Sequence, residues 1–125
     1  MTVLALALAG GLGAIARVLV DGAVRGWAGS RFPYGTLLIN ITGSLLLGLV
    51  AGLALAHGLP AEVRTIVGVG FCGGYTTFST ASVETVRLAE QRRYLAAVGN
   101  AVGTLLTTAF AGALGLLLAG VRFGG

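Results

Sequence analysis

The sequence predicts an all-α integral membrane protein of four transmembrane helices, the third broken near its middle. Three observations carry that prediction. Of the 125 residues, 56% are hydrophobic and only 10% are charged, too little polar surface for a soluble domain of this size. Four apolar stretches, at about 3–20, 35–56, 63–83 and 94–119, each approach the ~20 residues that cross a hydrocarbon core. Finally, Gly73-Gly74-Tyr75-Thr76-Thr77-Phe78-Ser79-Thr80 sets two glycines and four hydroxyl residues in the third stretch. In lipid a freed backbone polar group costs several kcal/mol, so non-helical backbone there must be buried in protein or line a watery cavity. That feature points to conduction or transport.

The first stretch has no basic region ahead of it and no soluble domain after it, which favours a retained helix over a signal peptide. Asp21, Arg25, Trp27, Arg31, Phe32, Pro33 and Tyr34 form the first connector, whose aromatics suit a membrane interface. His57, Pro60, Glu62 and Arg64 form the second connector, and Glu84, Arg87, Glu90, Arg92 and Arg93 the third. No room remains for another domain, so residues 1–125 form a single unit. All eight basic side chains are arginine, and the net charge of +4 comes from membrane-flanking positions rather than a nucleic-acid face. Connectors one and three hold five arginines against Arg64 and Arg122 on the other side, which by the positive-inside rule puts both termini outside the cytoplasm.

Polar residues inside the spans fall on helical faces. Thr36, Asn40 and Ser44 recur every four residues, as do Asn100, Thr104 and Thr108. Hydroxyls so placed commonly join helices by hydrogen bonds, but the Asn40 amide carries two donors that lipid cannot satisfy. No acidic residue falls within a span, Glu84 lying at an edge, whereas cation pathways place carboxylates in the membrane. Amide and hydroxyl donors with Arg17 near a span end favour a small anion. Phe78 would offer an electropositive ring edge, or simply pack. The glycine pairs Gly48/Gly52, Gly70/Gly74 and Gly99/Gly103 permit close helix approach and say no more than that. His57 and the single Cys72 have no partners for a nucleophile or a metal site, so an enzyme is not expected.

Four patches closely resemble the Fluc (CrcB) family of fluoride channels: 10–17 (GGLGAIAR), 33–40 (PYGTLLIN), its continuation to Gly48, and 70–80 (GFCGGYTTFST). The resemblance implies an antiparallel, dual-topology dimer with two fluoride pores along the subunit interface. It implies passive export of cytoplasmic fluoride through a multi-pass protein of the inner (plasma) membrane, relieving fluoride toxicity. By match, the pore takes Asn40, Phe78, Thr77, Ser79, Thr80, Thr104 and Asn100, and the vestibule takes Arg17. A structural sodium ion (Na+) at the dimer axis is implied on the main-chain carbonyls of Gly73 and Thr76. Two positions depart from the family pattern: Ala81 stands where a second phenylalanine is usual, and Asn100 where a tyrosine is common. The alternative is therefore a heterodimer with a related subunit. A small multidrug transporter would need a glutamate in the first span, which this chain lacks.

Overall fold

The computed structural model describes residues 1–122, and every described element is helical. Helix α1 spans Thr2–Ala28, α2 Tyr34–His57 and α6 Tyr94–Leu118; these three are long and apolar enough to cross a membrane. Helices α1 and α2 each begin one residue before the expected span, α6 begins at the expected residue, and α1 runs eight residues past the expected end at 20. That extension carries Asp21, Arg25 and Trp27 on helix rather than in a connector. An i,i+4 ion pair of 3.1 Å between Asp21 and Arg25 supports the added turns.

Between α2 and α6 the chain takes several short pieces. Helix α3 (Ala61–Arg64) runs into a π-helical stretch, Thr65–Cys72, and then α4 (Gly73–Tyr75). Thr76 and Thr77 are extended, with φ/ψ of −82°/156° and −149°/112°. Helix α5 (Phe78–Glu90) then follows. Eight π-helical residues are unusual, since the wider i→i+5 turn is mostly met as single-turn bulges, frequently beside functional sites. Nothing in the spacing of Thr65–Cys72 announces it.

Backbone-to-backbone packing holds the bundle together, as expected where lipid removes the hydrophobic drive between helices. The most extensive pairing is α2 with α6. A Cβ on Gly48 would fall on the carbonyl of Gly112, and one on Gly115 would lie 2.6 Å from the Leu49 nitrogen. On the other side α1 packs on the π-helical stretch and α4, with Gly74 against the Gly10 carbonyl and Gly13 against Phe71. Of the three glycine pairs in the sequence, Gly48/Gly52 and Gly70/Gly74 are such contacts. Gly99 and Gly103 meet nothing within 4 Å.

Gly115→Val should therefore push α6 off α2 and cost about 1–3 kcal/mol, as overpacking does. Gly26→Ala, with open space around it inside α1, should hold or slightly raise stability. Unfolding midpoints in detergent check the contrast, and equal midpoints would contradict close α2–α6 packing.

Candidate functional site

The site is the two-residue gap between α4 and α5, and Asn40 of α2 holds it. The buried Asn40 side chain bonds the Thr77 backbone twice. Its Oδ1 accepts from the Thr77 N–H at 2.9 Å and its Nδ2 donates to the Thr77 carbonyl at 3.1 Å. That pairing fixes the amide orientation, because an N–H must face the oxygen. The second Nδ2 hydrogen is the one donor not engaged by Thr77. Gly43, one turn further along α2, makes the approach possible: a Cβ there would fall on the Thr76 methyl.

The clamp changes the hydrogen bonding of its neighbours. In a continuous helix the Thr77 N–H would serve the Gly73 carbonyl, but it serves Asn40 instead. The Thr80 N–H would serve the Thr76 carbonyl, but it bonds the Thr77 hydroxyl at 3.0 Å as an N-cap. The carbonyls of Gly73 and Thr76 are thus both deprived of their helical donors. On the N-terminal side the Thr76 N–H and hydroxyl both turn back to the Cys72 carbonyl at 2.8 Å. The gap therefore sets the C-terminal end of one helix, rich in carbonyls, beside the N-terminal end of another, rich in N–H groups.

The structure brings Arg17, Thr77 and Thr80 together on one cavity of about 240 Å³, with Thr36, Asp21 and Arg25 also on its wall. The Arg17 Nε is buried and has no hydrogen-bond partner among the described residues. Phe78 and Ser79, at the start of α5, stand on the surface, Phe78 with 88% of its area exposed. Gly73 is exposed as well.

Asn100 lies elsewhere: buried, it donates to the Thr85 hydroxyl at 2.8 Å and joins α6 to α5. Thr85 in turn donates to the Ala81 carbonyl. Thr104 is half-buried on α6, its carbonyl accepting from the Thr108 hydroxyl at 2.6 Å. Ala81 is buried.

Two pairings escaped sequence reasoning. Buried Thr36 donates to Glu84 Oε1, so Glu84 belongs to the interior of the α2–α5 contact as well as to a connector. The Thr36/Asn40/Ser44 face was the available signal for it. Thr42 and the buried Tyr75 hydroxyl lie 2.8 Å apart beside the gap. Tyr75 carried no signal, since an aromatic next to glycines is read as packing.

Comparison with known proteins identifies the lineage of this architecture. The family model described as CrcB-like protein, Camphor Resistance (CrcB), matches residues 4–116. The chain belongs to the CrcB family. It is 58% identical to Fluoride-specific ion channel FluC 1 of Leifsonia xyli subsp. xyli, over 97% of this chain and 88% of the relative. It is 48% identical to Fluoride-specific ion channel FluC 2 of Cutibacterium acnes, over 94% of each. It is 42% identical to Fluoride-specific ion channel FluC of Geobacter metallireducens, over 95% of this chain and 97% of the relative. Each of these CrcB relatives carries the name of an ion channel. With three membrane-capable helices, the CrcB chain described here is a multi-pass membrane protein and not an enzyme.

Asn40→Ala should orphan the Thr77 N–H, at about 1–3 kcal/mol for a buried group left unpaired, while the Thr77 carbonyl keeps the first intrahelical bond of α5. Ser44→Ala, one turn along the same helix, should cost far less. Detergent unfolding of the two variants measures the difference, and equal losses would remove the clamp from the account of the fold.

Proposed function

We propose that this chain is a subunit of a fluoride-selective channel that lets cytoplasmic fluoride leave passively across the inner (plasma) membrane and so relieves fluoride toxicity. The names of its relatives support the ion. The observation that carries the mechanism is the Asn40 clamp on Thr77, which opens the helix at a defined place. Dehydrating a small anion is very costly, so hydrogen-bond donors must replace its water. The N-terminal end of α5 supplies the N–H groups of Phe78 and Ser79, the hydroxyls of Ser79 and Thr80, and the positive end of a helix dipole. The spare Asn40 hydrogen and the Phe78 ring edge add to that set. Arg17, with a buried and unpartnered Nε beside Thr77 and Thr80, attracts the anion at the vestibule. Thr104 on α6 would extend the polar route, and Asn100, one turn before it, would hold α6 against Thr85 of α5.

The residues at the gap fit a sodium ion. The Gly73 and Thr76 carbonyls have lost their helical donors, Gly73 is exposed, and a hard cation prefers oxygen ligands. Among the described residues no His, Cys, Asp or Glu group competes as a metal site. Gly73 and Thr76 would hold the ion, whose charge would offset the carbonyl dipoles where two subunits meet.

An antiparallel dimer is supported by the exposure of Phe78 and Ser79, polar-site residues that a single chain leaves uncovered. A related partner subunit is the second reading. Ala81, in place of a ring, favours it, as does the arginine bias of the connectors. The numerals in FluC 1 and FluC 2 fit either dimer. Flux from the pure protein, compared with flux after co-expression of a related subunit, separates the two.

Liposomes containing the purified protein should release fluoride down its gradient and retain chloride. Equal release of both ions would overturn the proposal. Phe78→Ile keeps the side-chain bulk but loses the ring edge, so fluoride release should fall sharply while the protein stays folded; wild-type release would reduce Phe78 to packing. Replacing sodium with a large organic cation should lower release and the unfolding temperature together, and no change in either would remove the ion from Gly73 and Thr76.

A further inference from the structure

Where the end of α1 meets the start of α2, two depressions share one wall. The first is a groove of about 540 Å³ whose floor is apolar, formed by Val24, Ala28, Leu37 and Ile41, with Trp27 and Tyr34 on its sides. The second, reached across Tyr34, is a polar cavity of about 120 Å³ lined by Arg25, Arg31, Arg87, Asp21 and Glu84. Its charges are not balanced. Asp21 is paired with Arg25, the one ion pair among the described residues, and Glu84 accepts from Thr36. The guanidinium groups of Arg31 and Arg87 have no hydrogen-bond or ion-pair partner among the described residues. The Arg31 backbone is meanwhile fixed, because its carbonyl accepts from Arg93 Nη1 across from the α5–α6 turn.

The aromatic residues set the depth of this feature. Trp27, 90% exposed, and Tyr34, 49% exposed, sit at adjacent ends of two membrane-capable helices, where amphipathic rings mark the headgroup level. The apolar groove runs from there along α2, beside Leu38 and Ile41. An apolar slot on the hydrocarbon side and two unpaired guanidinium groups on the water side match a molecule with an alkyl chain and an anionic head. Basic pockets between transmembrane helices take such headgroups, and guanidinium forks suit a phosphate.

We propose that this paired depression binds one anionic glycerophospholipid, with an acyl chain in the groove beside Trp27 and the phosphate at Arg31 and Arg87. A zwitterionic lipid would present an ammonium group to the same guanidinium groups, so the site discriminates by net headgroup charge. The reading is independent of the ion the protein conducts.

Trp27 is the only tryptophan in the chain, so its fluorescence reports on this end of α1 and the groove beside it. The full-length protein is reconstituted in phosphatidylcholine vesicles containing a small mole fraction of either brominated phosphatidylglycerol or brominated phosphatidylcholine. Brominated phosphatidylglycerol should quench Trp27 with an apparent preference on the order of tenfold, the pull of two surface arginines being partly offset by the Glu84 carboxylate beside them. Unlabelled phosphatidylglycerol should restore the emission, and soluble glycerol phosphate should not. Replacing both arginines, Arg31→Gln with Arg87→Gln, should abolish the preference. The competition arms use the unmodified protein and do not depend on that variant folding. Equal quenching by the two brominated lipids would overturn the proposal. So would displacement by glycerol phosphate, which would mark a small-anion site, or loss of quenching as protein density rises, which would mark a surface covered by a second copy.

Discussion

The amide of Asn40 bonds the Thr77 backbone through both its oxygen and its nitrogen, and the local architecture depends on that pair of bonds. A helix opened in an apolar surrounding exposes groups that cost several kcal/mol unless something replaces the lost partners. One planar amide supplies an acceptor and a donor at the spacing of one peptide unit, so it satisfies the orphaned Thr77 N–H and adds a second bond to the Thr77 carbonyl that begins α5. The Thr77 hydroxyl then caps α5, and the Thr76 hydroxyl turns back to Cys72. The two-residue interruption is therefore fully supported on the Thr77 side, while the Gly73 and Thr76 carbonyls remain available. Gly43 belongs to the same arrangement, since any side chain there would displace Thr76.

The glycines and the hydroxyls divide the labour. Gly48, Gly115, Gly13 and Gly74 bring helix backbones into contact, which gives the bundle its rigidity without large apolar side chains between the helices. Large side chains such as Leu12, Leu105 and Phe110 point outward, as they do when the surrounding solvent is hydrocarbon. Polar residues inside the bundle pair with each other, Thr36 with Glu84 and Asn100 with Thr85, and the exposed Thr42 meets the buried Tyr75 hydroxyl. Arg17 is the exception. Its buried Nε has no partner among the described residues, and it lies on the cavity shared with Thr77 and Thr80. An unpartnered cation beside an N-terminal helix end is an arrangement that favours anions.

Much was legible from the sequence by itself. Hydrocarbon content and the ~20-residue periods of apolar sequence fixed an all-helical membrane chain, because only helices and closed barrels satisfy their backbones in lipid. The extended pair Thr76–Thr77 lies within the glycine- and hydroxyl-rich run Gly73–Thr80, and the amide of Asn40 stood out because lipid cannot serve it. The tertiary structure decided the partners. Asn40 and Thr77 are far apart in sequence and meet only because α2 packs beside the gap, and the same holds for Glu84, which sequence position assigned to a connector and packing assigned to Thr36. The π-helical stretch at Thr65–Cys72 had no legible signal, since i→i+4 and i→i+5 bonding differ through how the segment is squeezed between α1 and α2. Glycine pairs of identical spacing were likewise indistinguishable in sequence. Gly48/Gly52 and Gly70/Gly74 are contacts and Gly99/Gly103 is open, because a spacing determines which residues share a face but only the fold determines what that face meets.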